Sequence, residues 1–161
     1  MSQNFIGENH VAVGYYPLAD LWNTGSPSYT PAYNLGLYNH AVFAVMQGVG
    51  TAGSATILVQ QCTTAAGGSP TAIAAKYRLC TTQDTWGALT TLASTGVVFG
   101  AASNQMLVIE VDAADLIATA PTKPYVRLCA TVADATAVLA ACIVILTEAA
   151  YPQAIPVTAI T

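Results

Sequence analysis

Three carboxylates stand close together near the middle of the chain: Glu110, Asp112 and Asp115. On a strand, Glu110 and Asp112 share a face. Two carboxylates side by side suit a hard cation such as calcium, or an acid and base pair. The structural alternative is a strand end that runs into a capped helical turn over 112–116. There Asp112 would accept from the first free backbone amides, and Asp115 would sit well in the field of the helix dipole. The order Ile109-Glu110-Val111-Asp112-Ala113-Ala114-Asp115-Leu116 fits this alternative better. Asp20, Asp84 and Asp134 are isolated, in turn contexts that suit Asp without a further role.

Other chemistry is sparse. His10 and His40 belong to no H-x-x-x-H pair and neither neighbours a cysteine, so no metal site is expected from them. No serine lies in a G-x-S-x-G elbow; Ser54 and Ser94 each have a glycine on one side only. Gly48-Val49-Gly50 lacks the third glycine, the helix and the lysine of a phosphate loop. The N-x-S/T pattern is absent. Cys62, Cys80, Cys129 and Cys142 are too widely spaced for a C-x-x-C motif and read as free thiols buried as small hydrophobes. A Cys80–Cys129 disulfide is the alternative, since both residues follow Arg-Leu, at 78–79 and 127–128. The expectation is a protein that is not an enzyme and needs no cofactor.

Elements must be inferred around these residues. Residues 1–38 hold five of the eight tyrosines (Tyr15, Tyr16, Tyr29, Tyr33 and Tyr38), with Trp22 and prolines 17, 27 and 31. Proline and glycine at this density preclude a long helix. Gly25-Ser26-Pro27-Ser28 reads as an exposed turn. Such a segment is either an extended arm that buries aromatic area on a neighbour or a strand and loop packed on its own domain. In the first case Tyr15, Tyr16, Trp22, Tyr29, Tyr33 and Tyr38 are the interface anchors.

From Asn39 the pattern is strand-like. Residues 40–49 and 54–63 are apolar, β-branched runs joined by Gly50-Thr51-Ala52-Gly53, which reads as a hairpin. A third strand spans 73–81, with Tyr77 and Leu79 alternating against Lys76, Arg78 and Cys80. Short strands are expected near Trp86 and at 97–99, and a longer one at 104–111. Residues 124–133 and 136–148 read as a final pair about a tight turn at Asp134-Ala135. The Ala-rich stretch 135–142 has helical propensity, but Ile143-Val144-Ile145 favours a strand. Pro152 and Pro156 keep the tail out of any central strand. The fold class is therefore all-β: an antiparallel β-sandwich or barrel over residues 39–150, with an N-terminal arm at 1–38 and a short extended tail at 151–161.

Composition narrows the function. Hydrophobic residues form 54% of the 161 residues and charged residues 7%, against about 25% charged in an ordinary soluble domain. Roughly 7,500 Å² of monomer surface is left with twelve formal charges, four of them basic and eight acidic. The longest strongly apolar run, 137–146, is shorter than the about 20 residues a membrane-spanning helix needs. The start, Met1-Ser2-Gln3-Asn4-Phe5, lacks the features of a secretory leader. With only Lys76, Arg78, Lys123 and Arg127 as cations, a nucleic-acid surface is excluded. So weakly charged a surface suits a chain covered by copies of itself or by a partner.

The stretch 39–148 resembles small structural proteins of tailed-bacteriophage virions. The residues that carry the resemblance are the apolar runs Phe43-Ala44-Val45-Met46-Gln47 and Thr56-Ile57-Leu58-Val59-Gln60-Gln61, then Thr85-Trp86-Gly87-Ala88-Leu89. After these come 105–116, Tyr125-Val126-Arg127-Leu128 and an apolar last strand. The likeness is to head decoration (cement) proteins. It implies a β-rich module made in the host cytoplasm that binds the outer surface of the capsid, often as a homotrimer. There it would bridge neighbouring major capsid protein subunits and stabilise the mature shell. It implies no nucleic-acid and no membrane partner. A tail-tube or neck protein shares the same composition. A carbohydrate-binding head-fibre module would use Trp22, Trp86 and exposed tyrosines as stacking platforms.

Overall fold

Apolar side chains recurring at every second position give most of the chain a strand habit. The computed structural model describes residues 5–22, 27–50, 52–82, 84–100, 102–150 and 159–160. A helical turn, α1 (Phe5–Glu8), leads into β1 (His10–Leu18), β2 (Ser28–Tyr29), β3 (Tyr33–Asn34), β4 (Tyr38–Gln47) and β5 (Ser54–Cys62). Then come β6 (Thr71–Ile73), β7 (Ala75–Thr82), β8 (Thr85–Trp86), β9 (Thr90–Leu92), β10 (Val97–Gly100) and β11 (Gln105–Asp112). A short helix, α2 (Ala113–Thr119), precedes β12 (Tyr125–Asp134) and β13 (Ala140–Ala149).

Two antiparallel sheets pack face to face, so the protein is an all-β sandwich. The larger runs β1-β13-β4-β11-β7-β8, with β9 also on β7. The smaller runs β10-β5-β12-β2, with β3 also on β12 and β6 also on β5. The core lies between them. Phe43, Val45, Ile109, Val144 and Leu146 point inward from the larger sheet, and Ile57, Val59, Val126 and Leu128 from the smaller. Three of the four sheet edges consist of two short pieces each, β8 with β9, β6 with β10, and β2 with β3. Short edges offer little template for unwanted strand pairing. The long edge strand, β1, carries register shifts on both sides of Tyr15.

Several sequence expectations need correction here. The runs at 40–49 and 54–63 do form β4 and β5, but these lie in opposite sheets, so 48–53 is a crossover and not a hairpin turn. The same holds for β12 and β13, which the Asp134 turn connects across the sandwich. The two crossovers lie side by side. Gly48 N–H donates to the Leu139 carbonyl at 2.8 Å, and a Cβ on Gly53 would sit 2.1 Å from the Thr136 oxygen. Gly53 is required by this close approach of a second backbone. Asp134 opens its crossover by accepting from the Thr136 amide at 2.9 Å and hydroxyl at 2.6 Å. The expected third strand is divided at Ala74 into β6 and β7, one in each sheet.

The N-terminal boundary at residue 38 does not separate an arm from a domain. β1 pairs with β13 from His10 to Leu18 as part of the larger sheet. Trp22, Tyr33 and Tyr38 are among the most deeply buried side chains of the core. Residues 23–26, which include the first half of the expected exposed turn at 25–28, and 151–158, which make up most of the expected tail with both of its prolines, lie outside the described residues. Ala159 is buried, and its carbonyl accepts from Asn34 N–H at 2.8 Å.

Candidate functional site

Glu110 and Asp112 do share the outward face of β11, but they gather no cation ligands. Among the described residues no group of three His, Cys, Asp or Glu could hold a metal. Asp112 is the N-cap residue of α2, yet its side chain makes no capping bond. It faces His40 instead, with Oδ1 2.6 Å from Nδ1. These two positions are register partners on β4 and β11. The His40 imidazole on the neighbouring strand thus takes the carboxylate that was expected to cap the helix.

The cysteines are free and buried. Cys80 and Cys129 lie in different sheets, so the repeated Arg-Leu-Cys does not bring them together. Burial pushes the Cys142 thiol up to about 12 and also raises Cys62 and Cys129. Thiolate chemistry is suppressed at such sites.

The six proposed anchors divide. Tyr15, Trp22, Tyr33 and Tyr38 are buried in the sandwich, which removes them as anchors for a partner. Trp22 Nε1–H donates to Gln47 Oε1 at 3.2 Å and its ring meets Phe99 edge-on. Gln47 in turn donates to the Ala102 carbonyl at 2.9 Å. The Tyr33 hydroxyl donates to the Val13 carbonyl and the Tyr15 hydroxyl to that of Ser28, each at 3.1 Å. Burial raises both phenols above their ordinary range. Each tyrosine has an apolar ring to bury and a hydroxyl that satisfies a carbonyl. Tyr16, 77% exposed, and Tyr29 remain at the surface. The Tyr29 ring lies 3.9 Å from the Arg127 guanidinium carbon.

Sequence reasoning missed a surface, the outer face of the larger sheet. Register places its outward residues in rows across five strands. One row is Val11, Ile145, Val42, Glu110 and Lys76, and the next is Val13, Ile143, Ala44, Val108 and Arg78. A third contains Ala141, Met46, Met106, Cys80 and Trp86. Polar side chains normally cover the solvent face of an antiparallel sheet. Here the charged side chains of these rows, Glu110, Lys76 and Arg78, sit on the β7 side, and the other polar row, Thr147, His40 and Asp112, lies at the end of the sheet. The outer face of the smaller sheet is mixed, with Thr56, Gln60, Arg127 and Thr131 on either side of Leu58 and Cys129. A signal was present in the sequence: Val42-Phe43-Ala44-Val45-Met46 and Ile143-Val144-Ile145 are apolar on both parities, the habit of strands covered on both faces.

At the charged flank this face has a depression of about 450 Å³, lined by Tyr77, Arg78, Trp86, Leu89, Val108 and Glu110. The broken edge strand creates it. β8 and β9 both pair with β7, and Gly87-Ala88-Leu89 bulges between them. Gly87 N–H donates to the Leu79 carbonyl at 2.8 Å, and the Thr90 hydroxyl to that of Ala88 at 3.1 Å. The bulge leaves Trp86 38% and Leu89 49% exposed. A smaller, mainly apolar hollow of about 200 Å³ lies beside α2, with Leu35, Leu116 and Ile117 in its walls. Among the described residues no helix is long and apolar enough to cross a membrane.

No protein-family model and no curated protein matches the chain. Among solved structures, the crystal structure of SPBc2 prophage-derived protein YomS is similar, at 15% identity over 86% of this chain and 93% of that one, with a TM-score of 0.43. A likeness of that degree carries no role from one chain to the other.

Proposed function

We propose that this chain is a structural protein that works by assembly, namely a decoration (cement) protein on the outer surface of a tailed-phage head. The observation that carries the assembly part is the apolar outer face of the larger sheet. The place on a phage head rests on the sequence resemblance of residues 39–148. In this reading the face docks on the major capsid protein, neighbouring shell subunits are bridged, and no reaction is catalysed.

Size decides how such a face would work. Four strands, β1, β13, β4 and β11, at about 4.8 Å spacing over about 20 Å of strand give on the order of 400 Å². A stable interface buries about 800 Å² per partner. One face alone is therefore short of tight binding, and simultaneous contacts must supply the rest. A lattice of repeated shell subunits supplies them, because linked contacts act at high effective concentration. Self-association, as a trimer, would do the same. Binding only the mature lattice would stabilise that state by mass action.

The test is copy number per purified virion, measured against the major capsid protein. A simple lattice ratio supports decoration. A handful of copies moves the chain to neck, tail or fibre, and absence from the particle refutes a virion role altogether.

A further inference from the structure

We propose that the depression at Trp86 binds a neutral saccharide, its ring seated on the indole of Trp86 and the side chain of Leu89, its hydroxyls held by Arg78 and Glu110. Exposed large apolar side chains scattered over a surface carry no message, but these two are placed by a fixed device. The bulge at 87–89 is tied to β7 by the Gly87 bond and internally by Thr90. It turns Trp86 and Leu89 outward at the rim of a hollow whose lining includes Val108. The volume falls within the range of small-molecule sites, which pair an apolar lining with a few polar groups.

The polar groups select the ligand class. Arg78 is the register partner of Val108, and Glu110 lies one outward position further along β11, opposite Lys76. The ion pair formed among the described residues is that of His40 with Asp112, so Arg78 and Glu110 keep their hydrogen-bonding capacity for a guest. Guanidinium offers donors only and carboxylate acceptors only. A hydroxyl can answer both. A phosphate or carboxylate ligand would meet Glu110 as a like charge, and a cationic peptide would meet Arg78 and Lys76. A pyranose combines a C–H face, which lies flat on an indole, with a rim of neutral hydroxyls that satisfies both ends of the site. This inference stands apart from the decoration reading, since it concerns the charged flank of the sheet and not its apolar centre.

The chain has two tryptophans, which makes the test internal. In a ¹H–¹⁵N spectrum of the full-length protein, tetrasaccharides of glucose, galactose and N-acetylglucosamine are titrated in turn. Oligogalacturonate and tetralysine serve as charged comparators. At least one neutral tetrasaccharide is expected to shift the Trp86 indole and the amides of 86–90 saturably. The Trp22 indole, buried and bonded to Gln47, stays still. Trp86→Ala is expected to weaken the binding by about tenfold or more and Arg78→Met to weaken it less, both with unchanged spectra elsewhere. No saturable shift with any neutral sugar, shifts with a charged comparator alone, or amide shifts that persist in Trp86→Ala would each overturn the proposal.

Discussion

Replacing Trp22 with alanine separates an integral N-terminal segment from a detachable arm. Trp22 is 1% exposed, packs edge-on against Phe99 at 6.4 Å between ring centres, and donates to Gln47. Removing a buried aromatic ring costs about 3–5 kcal/mol in lost transfer energy and cavity. The stranded Gln47 oxygen adds about 1 kcal/mol or more, because a buried acceptor loses its partner. For a chain of this size, about 2–4 °C of melting temperature is lost per kcal/mol, so Trp22→Ala should melt roughly 8–25 °C below the parent. Trp22→Phe keeps most of the ring and loses only the N–H, and should fall between the two. Thermal and urea unfolding followed by circular dichroism would measure both. A change within about 0.5 kcal/mol for Trp22→Ala, typical of a surface substitution, would refute the burial argument and restore residues 1–38 as an arm. Deleting residues 2–30 provides the coarse version. It removes β1 from the edge of β13, and the expected result is an unfolded or aggregated chain.

Other expectations follow from the same geometry. Gln61 is fully buried on the inward face of β5, and its side-chain amide has no hydrogen-bond partner among the described residues; Gln61→Met should be neutral or stabilising by about 1 kcal/mol in urea unfolding, and a clear loss would mean that the amide is satisfied in solution. Ile143→Lys, in the centre of the outer face, should change stability by less than about 1 kcal/mol while abolishing particle binding in a co-sedimentation assay. The Cys142 thiol is raised from its ordinary 9.0 to about 12 in the fold, so its contribution is complete below pH 9 and is lost as pH rises toward 12. Unfolding midpoints should decline over that window, and less so in Cys142→Ala. Asp134 is held below its ordinary range by the Thr136 hydroxyl and amide. Its contribution is present above the unfolded value of 3.8 and lost as pH falls through the lower folded value, so Thr136→Ala should flatten the acid limb of the stability curve.

Much of the strand inventory was legible because alternation is a local property. The runs around Phe43, Ile57, Ile109 and Leu128 announce themselves over a few residues. Pairing was not legible. Gly50-Thr51-Ala52-Gly53 has the composition of a hairpin turn, and nothing local states that Gly53 is present to let the Thr136 carbonyl approach. The Asp134 turn misled in the same way, since an Asx turn begins a crossover as readily as a hairpin. The aromatic segment was ambiguous for a different reason. Tyrosine and tryptophan serve interfaces and cores alike, and only the carbonyls of Val13 and Ser28 and the amide of Gln47, all distant in sequence, reveal which role applies. Of the candidate site, Trp86 and Glu110 were visible as single residues, but their meeting with Arg78 was not, because it is created by the register of β7 on β11.

The shortage of charge acquires a location in the fold. Were it only a consequence of an aromatic-rich core, both outer faces would be equally poor in polar groups. They are not. The smaller sheet turns out Thr56, Gln60, Arg127 and Thr131 beside Leu58 and Cys129, and Arg127 is fixed there by Gln60 at 3.0 Å and by the Tyr29 ring. The larger sheet, across the middle of β1, β13, β4 and β11, turns out Val, Ile, Ala and Met, with Glu110, Lys76 and Arg78 on the β7 side and His40, Thr147 and Asp112 at one end. Solubility alone would favour a Thr or Lys at Val42, Ala44 or Ile143, and none of these side chains contributes to the inner core. Their apolar character is therefore unexplained by folding, and the proposed docking of this face on a partner would account for it. The same asymmetry separates the two proposals physically. The centre of the face has shape and apolar area but no directional groups, which suits a broad protein partner. The flank at Trp86 has a ring, a donor and an acceptor within one small hollow, which suits a small polar guest.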